Sequence, residues 1–218
     1  MLKDPGYWIF DHVFEPAEMI ALAELICGGK RAGKRNLMSH YAVREVANSD
    51  KLLDITEKLA GRRLTPYKAP LFEKTGKANW LVAYHQDTAL PIKRGQKAQG
   101  WGSHSVKGGI NFAHAPEAVL SQIIALRVHI DPSTEHNGPL RVIPNSHRKL
   151  LLSEADLGLV LDKINEVTCT TSSGGVIAMS PLLLHASSKC SDAKPRRVLH
   201  IEYAPKMSFE DGMELTEA

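Results

Sequence analysis

Along this chain the spacing of apolar residues changes from helical in the first third to alternation in twos afterwards. Residues 7 to 14, Tyr-Trp-Ile-Phe-Asp-His-Val-Phe, are aromatic and branched, a composition that predicts a strand. Glu15-Pro16 then opens a segment with Met19, Ile20, Leu22, Leu25 and Ile26 at helical spacing, and Gly28-Gly29 closes it. A second helix is predicted from Ser49 to Leu59, with Ser49 as its cap, Leu52, Leu53, Ile55 and Leu59 as its apolar stripe and Gly61 as its stop. Beyond it the texture is that of strands. A strand over residues 79 to 85 is one expectation. In residues 123 to 131, Ile124, Leu126, Val128 and Ile130 face one way and Ala125, Arg127, His129 and Asp131 the other, so one side of that strand is wet or functional. Glu135 to Gly138 reads as a turn into Pro139 to Ile143, Gly174-Gly175 launches Val176 to Met179, and Arg196 to Ala204 is a last strand with Leu199, Ile201 and Tyr203 on one face. Helices first and many short strands afterwards predict a mainly β jelly roll with helices packed on one sheet. Between Thr88 and Ala115, Gly95, Gly100, Gly102, Gly108 and Gly109 interrupt any period, and the length of that stretch suggests a lid.

Composition narrows the class without naming it. The chain has 218 residues, 43% of them hydrophobic, enough for one well-buried core and too few to argue for two. Its 27 Lys and Arg against 24 Asp and Glu give a net +3 that is spread along the chain, unlike a nucleic-acid stripe. Cys27, Cys169 and Cys190 are far apart and form no Cys-x-x-Cys pair, which argues against a disulfide framework and for a reducing compartment. Asp4, Pro5, Gly6, Asp11 and Glu15 break up the apolar run a signal peptide needs, and no stretch of roughly 18 apolar residues occurs. The expectation is a soluble cytoplasmic protein acting on a small molecule, with no nucleic acid, membrane or obligate protein partner.

The chemistry is carried by His85-Gln86-Asp87, with His185 and Arg196 far downstream. Residues i and i+2 of a strand share a face, so His85 and Asp87 can grip one cation, and His185 completes a set of two imidazoles and one carboxylate. Such a set leaves half of a divalent metal's coordination sphere open, as in non-haem Fe(II) oxygenases. His129-Ile130-Asp131 has the same spacing and is also on a strand, so spacing alone does not decide between the two. Asp131 runs into Pro132-Ser133-Thr134, a turn composition, which favours His85 and Asp87. His200-Ile201-Glu202 is a third triplet, but no histidine follows it. Arg196, 11 residues beyond His185 across a polar turn, suits an oxoacid carboxylate, which a guanidinium holds by two parallel hydrogen bonds. Its rival Arg197 shares a face with Leu199, Ile201 and Tyr203, whereas Arg196 shares one with Val198 and His200. The plainer alternative is that both are solvated strand-edge charges.

Longer blocks go further than spacing. Leu71-Phe72-Glu73-Lys74, Asn79-Trp80, Tyr84-His85-Gln86-Asp87, Trp101 to Gly108, Leu126 to Asp131, Asn137-Gly138-Pro139-Leu140 through Asn145-Ser146-His147-Arg148, and Leu184-His185-Ala186-Ser187-Ser188 together resemble the phytanoyl-CoA dioxygenase (PhyH) family, in particular its compact bacterial branch. The resemblance covers roughly residues 71 to 204. It implies a double-stranded β-helix of the cupin-like kind, Fe(II) held by His85, Asp87 and His185, and 2-oxoglutarate and O2 as cosubstrates. Arg196 would hold the far carboxylate of 2-oxoglutarate, and Ser187 matches a family position that also touches it. Arg127 falls where longer members carry a tryptophan near the cosubstrate. Tyr84 stands where tryptophan is common and Asn145 where glycine is usual, the latter a mild change because asparagine tolerates a left-handed backbone. With Asp87 a carboxylate, halogenase chemistry is not implied. The whole chain, 1–218, is then expected to be one domain, with helical and strand support over 1–65 and the β-helix core over about 66–205.

The implied activity is hydroxylation of an unidentified small metabolite with release of succinate and CO2. Trp101, Lys107 and His114 on the lid, with Arg35 and Lys74 as outlying candidates, would line the pocket of a small, anionic acceptor. The plainer alternative is that Trp101 packs the loop and the lysines are solvated. The basic runs Lys30 to Arg35 and Lys93 to Lys97 read as solvated charge. Two other functions compete with an oxygenase: a non-catalytic jelly-roll ligand-binding protein that keeps the metal, and a cupin-like metal hydrolase or isomerase.

Overall fold

The computed structural model describes residues 2–28, 33–75, 79–153, 156, 165–190 and 195–218. In chain order the elements are β1 (Tyr7–Phe10), α1 (Pro16–Ile26), β2 (Gly33–Lys34), α2 (Tyr41–Ala47), α3 (Asp50–Ala60), β3 (Thr65–Lys68), β4 (Leu71–Lys74), β5 (Val82–His85), β6 (Ala89–Ile92), β7 (His104–Lys107), β8 (Ile110–His114), α4 (Glu117–Leu120), β9 (Ile124–His129), β10 (Leu140–Val142), β11 (Val167–Cys169), β12 (Val176–Met179), β13 (His185–Ser187) and β14 (Arg196–Ala204).

Two antiparallel sheets face each other. The larger runs β1-β12-β9-β14-β4-β2, with β3 also paired to β14, and the smaller runs β11-β10-β13-β5. Among the eight strands from β4 to β14 that build the barrel, the chain passes back and forth between the sheets. β4, β9, β12 and β14 belong to one, β5, β10, β11 and β13 to the other. That interleaving is the double-stranded β-helix predicted above.

Parity divides the core. Leu126, Val128 and Ile130 of the β9 segment, Val176 and Ala178 of β12, and Leu199, Ile201 and Tyr203 of β14 pack outward against Met19, Leu22 and Ile26 of α1, Val43 and Ala47 of α2, and Leu52 and Ile55 of α3. The Tyr203 hydroxyl donates to the Ala47 carbonyl at 2.9 Å, tying the last strand to α2. The alternate residues point into the barrel, whose closed end is filled by Ala125, Leu140, Val142, Cys169, Ile177, Met179 and Leu183. Every residue of β9 is buried, so the side read as wet or functional is interior.

Other expectations change in detail. The first strand stops at Phe10 because residues 11 to 14 form turns, His12 having a positive φ of 58° and the Phe14 amide bonding the Gly174 carbonyl. The strand read over 79–85 begins only at Val82. Ser49 precedes α3 as expected, but its hydroxyl donates to the Val46 carbonyl and does not cap the helix. The short helix α2 was not anticipated. The stretch read as an aperiodic lid holds a three-stranded sheet, β6-β8-β7. Asn145 adopts the left-handed conformation at φ 67°, which fits the glycine it replaces.

Leu126 is fully buried on the helix-facing side of β9. Leu126→Ala should lower unfolding stability by about 2–5 kcal/mol, read as a fall in the urea midpoint. A loss below about 1 kcal/mol would show that this face is not the central packing surface.

Candidate functional site

β5 and β13 pair antiparallel with His85 directly opposite His185, and the two imidazole centroids lie 4.2 Å apart. Asp87 follows just past the end of β5, held by its amide bonding the Pro181 carbonyl at 2.9 Å. Its Oδ1 is 3.6 Å from Nε2 of His85 and its Oδ2 3.5 Å from Nε2 of His185. The three ligand atoms lie within 4.8 Å of one another. Each histidine turns its other nitrogen back to its own strand, Nδ1 of His85 to the Ala83 carbonyl and Nδ1 of His185 to the Leu183 carbonyl, both at 2.9 Å. A carbonyl can only accept, so each Nδ1 carries a proton and Nε2 is the nitrogen left to face Asp87 and a cation beside it. Burial, partly offset by Asp87, lowers the His185 pKa to about 4, so that ring is neutral near pH 7. Asp87 is held well below the usual carboxylate range because His185, His85 and His200 together outweigh its burial. Asp87 also raises the His85 pKa against its burial, and a divalent cation would take the place of that proton; two imidazole nitrogens and a carboxylate at one point fit such an ion.

Beside this group the barrel interior is cationic. Arg196 on β14 stands opposite Lys74 on β4, and Arg127 on β9 stands opposite His200 on β14. Arg196 donates through Nε to the Asn137 carbonyl at 3.1 Å and through Nη2 to Ser187 Oγ at 3.4 Å. Lys74 donates to the same Oγ at 2.7 Å and to the Ser188 carbonyl at 2.5 Å, while Ser187 passes its own proton to the Gly138 carbonyl at 2.8 Å. Gly138 is required here: its φ is 73°, and a Cβ would lie 2.5 Å from the Ser188 carbonyl. Among the described residues, Arg127, Arg196 and Lys74 have no acidic partner at ion-pair distance. Arg127 Nε, Arg196 Nη1 and both ring nitrogens of His129 are buried without a hydrogen-bond partner. Burial and then mutual repulsion push Lys74 down to about 8 and Arg196 to about 9, and push His129 far below its ordinary value. Leaving such donors unpaired is costly, and a dianionic ligand fits them.

The rival triplet splits. His129 points into the barrel, while Asp131 on the other side accepts from Nε and Nη2 of Arg197, each at 2.7 Å. Arg197 is therefore a paired charge outside the barrel, and Arg196 is interior.

The residues expected around the acceptor divide as well. His114 lines a cavity of about 380 Å³ next to His85, together with Gln86, Thr88, Leu151, Leu152 and Leu184, and its Nδ1 is 2.7 Å from Thr88 Oγ1. Lys74 does not belong to that cavity and sits with Arg196. Trp101 packs against Phe209 and donates to Asp211 at 2.7 Å, so the loop-packing alternative holds for it. Lys107 is exposed on β7 with its ammonium over Phe112, and Arg35 is exposed in the segment after β2. Neither lines the cavity among the described residues, because no described contact turns them toward it.

Sequence reasoning missed a buried network. His200 Nδ1 lies 3.1 Å from Arg127 Nη1, and since a guanidinium only donates, the His200 proton is on Nε2. That nitrogen faces Glu202 at 3.4 Å and Asp87 at 3.9 Å. Glu202 is in turn held by Lys68 at 2.7 Å and Tyr67 at 2.6 Å. The available signal was parity: His200 and Glu202 share the inner face of β14 with Arg196.

A double-stranded β-helix with an inward His-Asp-His group beside buried, unpaired basic side chains has the architecture of non-haem, 2-oxoacid-dependent oxygenases. The model of the phytanoyl-CoA dioxygenase (PhyH) family matches residues 2–198, and the chain belongs to that family. It is accordingly a non-haem Fe(II)- and 2-oxoglutarate-dependent oxygenase. Solved structures with the same fold include HygX from Streptomyces hygroscopicus with iron bound (TM-score 0.68, 14% identity, 94% of this chain and 85% of that one). EctD from S. alaskensis with 2-oxoglutarate and 5-hydroxyectoine is similar at TM-score 0.68 and 20% identity over 92% of this chain and 72% of that one. The non-haem α-ketoglutarate-dependent epimerase SnoN of nogalamycin biosynthesis aligns at TM-score 0.69 and 17% identity over 92% and 76%. No curated protein matches. Among the described residues no helix is long and apolar enough to cross a membrane.

Asp87→Ala should abolish Fe(II) binding in an anaerobic titration, whereas Asp131→Ala should leave the metal affinity within about twofold while weakening the fold through loss of the Arg197 pair. The reverse pattern would move the metal to the other triplet.

Proposed function

We propose that His85, Asp87 and His185 hold Fe(II), and that Arg196, assisted by Lys74 and Ser187, holds the far carboxylate of 2-oxoglutarate. The observation that carries this reading is the presence of two groups in one barrel: three donors turned toward a common point, and a buried arginine with an unpaired Nη1. When bound, Fe(II) supplies the activation of O2 that couples decarboxylation of 2-oxoglutarate to succinate and CO2 with hydroxylation of a C–H bond.

The protein's own part is position and environment. The carbonyls of Ala83 and Leu183 fix both imidazoles in the ligating tautomer. The guanidinium fork of Arg196 sets the orientation of the cosubstrate, and the buried walls exclude water. The primary substrate enters beside His85, whose side chain is 41% exposed toward the cavity of about 380 Å³. The described lining of that cavity carries no Lys, Arg, Asp or Glu, and Gln86 is already bonded to the carbonyls of Leu150 and Leu182. We therefore replace the anionic acceptor expected from the sequence with a small, largely apolar molecule that offers one polar atom to the Thr88–His114 pair. The enzyme is read as one domain working in a reducing cytoplasm without an obligate partner.

Anaerobic addition of Fe(II) and 2-oxoglutarate together should produce a weak visible charge-transfer band that neither gives alone, and air should then yield succinate. Absence of both would favour the non-catalytic metal-binding jelly roll. Arg196→Gln should raise the 2-oxoglutarate concentration for half-maximal succinate formation about ten- to a hundredfold, against less than about twofold for Arg197→Gln. Equal effects would detach Arg196 from the cosubstrate.

A further inference from the structure

The reading above assigns one end of the cosubstrate to Arg196 and leaves a second interior guanidinium unexplained. Arg127 is 6% exposed, and its one hydrogen bond among the described residues runs from Nη1 to His200 Nδ1. Its Nε, on the edge that offers a side-on fork, is buried and unpartnered. The guanidinium stands 5.7 Å from the Phe72 ring centroid, so it is enclosed by the barrel and not turned to solvent.

Register fixes which end of the cavity it serves. On β14, Arg196 is opposite Lys74 and His200, four residues on, is opposite Arg127. The Arg196 end contains Ser187 and Asn137. The Arg127 end is joined through His200 to Asp87, whose Oδ2 lies 3.9 Å from His200 Nε2. The two arginines therefore stand at opposite ends of one interior space, Arg127 at the end of the metal group. Arg127 is also absent from the described lining of the acceptor cavity, which His85 borders. The anion it meets is thus on the cosubstrate side.

Resting on the cosubstrate reading, we propose that Arg127 is a second carboxylate anchor. Its Nε edge holds the carboxylate adjacent to the keto group, while Arg196 holds the distal one, so that two guanidiniums select a 2-oxo diacid from both ends. His200 is the positioning residue: by accepting from Nη1 it presents the Nε edge to the cavity, and its Nε2 proton is steadied by Glu202.

The test is isothermal titration of the Ni(II)-loaded protein without O2, using 2-oxoglutarate and 2-oxobutyrate, which lacks the distal carboxylate. Arg127→Gln should weaken both probes by about tenfold or more, and Arg127→Lys, which keeps the charge but loses the fork, should weaken both to a smaller, equal extent. Arg196→Gln should weaken 2-oxoglutarate alone. Ni(II) affinity, measured on each variant, reports that the metal site is intact. If Arg127→Gln fails to fold, Arg127→Lys carries the test. Unchanged binding of both probes, or loss confined to 2-oxoglutarate, overturns the assignment. Failure of the wild-type protein to bind either probe overturns the cosubstrate reading itself, an outcome distinct from a wild type that binds and an Arg127 variant that binds as well.

Discussion

Burial of strand β14 on both faces is the constraint from which the rest of the structure follows. A strand alternates its side chains, so once Leu199, Ile201 and Tyr203 are committed to the layer beneath the helices, Arg196, Val198, His200 and Glu202 have nowhere to go but into the barrel. A slip of one residue would bury Arg196, His200 and Glu202 among the aliphatic side chains beneath the helices and turn a row of leucine and isoleucine into the barrel. The apolar packing of the outer face therefore aims the polar chemistry of the inner one, and the same logic applies to β9, where Leu126 and Val128 secure the inward direction of Arg127 and His129.

Inward charges must then be compensated. At one end of the barrel the protein does this itself: Glu202 takes Lys68 and Tyr67, and Asp87 is stabilised by three histidines. For the basic side chains along the same inner wall it does not. Arg196, Lys74 and Arg127 repel one another in a buried space and have no acidic partner among the described residues. Buried cations without counter-charge destabilise a fold, and an interior that tolerates them is built for an anion supplied from outside. On the proposed assignment, the free energy forgone in folding is recovered when a dicarboxylate binds, which ties the stability of this part of the barrel to cosubstrate occupancy.

Much of this was visible in the linear chain because it depends on local periodicity. The boundaries of β12 and β14, the outward face of β9 and the interior position of Arg196 follow from counting residues in twos. The site was legible in part for the same reason: His85 and Asp87 are two apart, and Ser187 is two beyond His185. What escaped the sequence was non-local. Lys74 was an outlying candidate for the acceptor pocket and stands instead beside Arg196 and Ser187, because β4 pairs with β14. Trp101 looked like a ligand contact and is an internal packing residue, because Asp211 and Phe209 return to it from the end of the chain.

The sequence by itself determined the type of chemistry and the faces on which its residues stand, since residue identity sets ligand character and a period of two sets direction. The tertiary structure alone decided which of two equivalent triplets meets His185, and which basic side chains share a cavity. The pairing of β5 with β13 puts His85 opposite His185, and the turn after β9 sends Asp131 to Arg197. No spacing rule contains that outcome, because it depends on which distant strands exchange hydrogen bonds, and those contacts exist only once the two sheets have closed on each other.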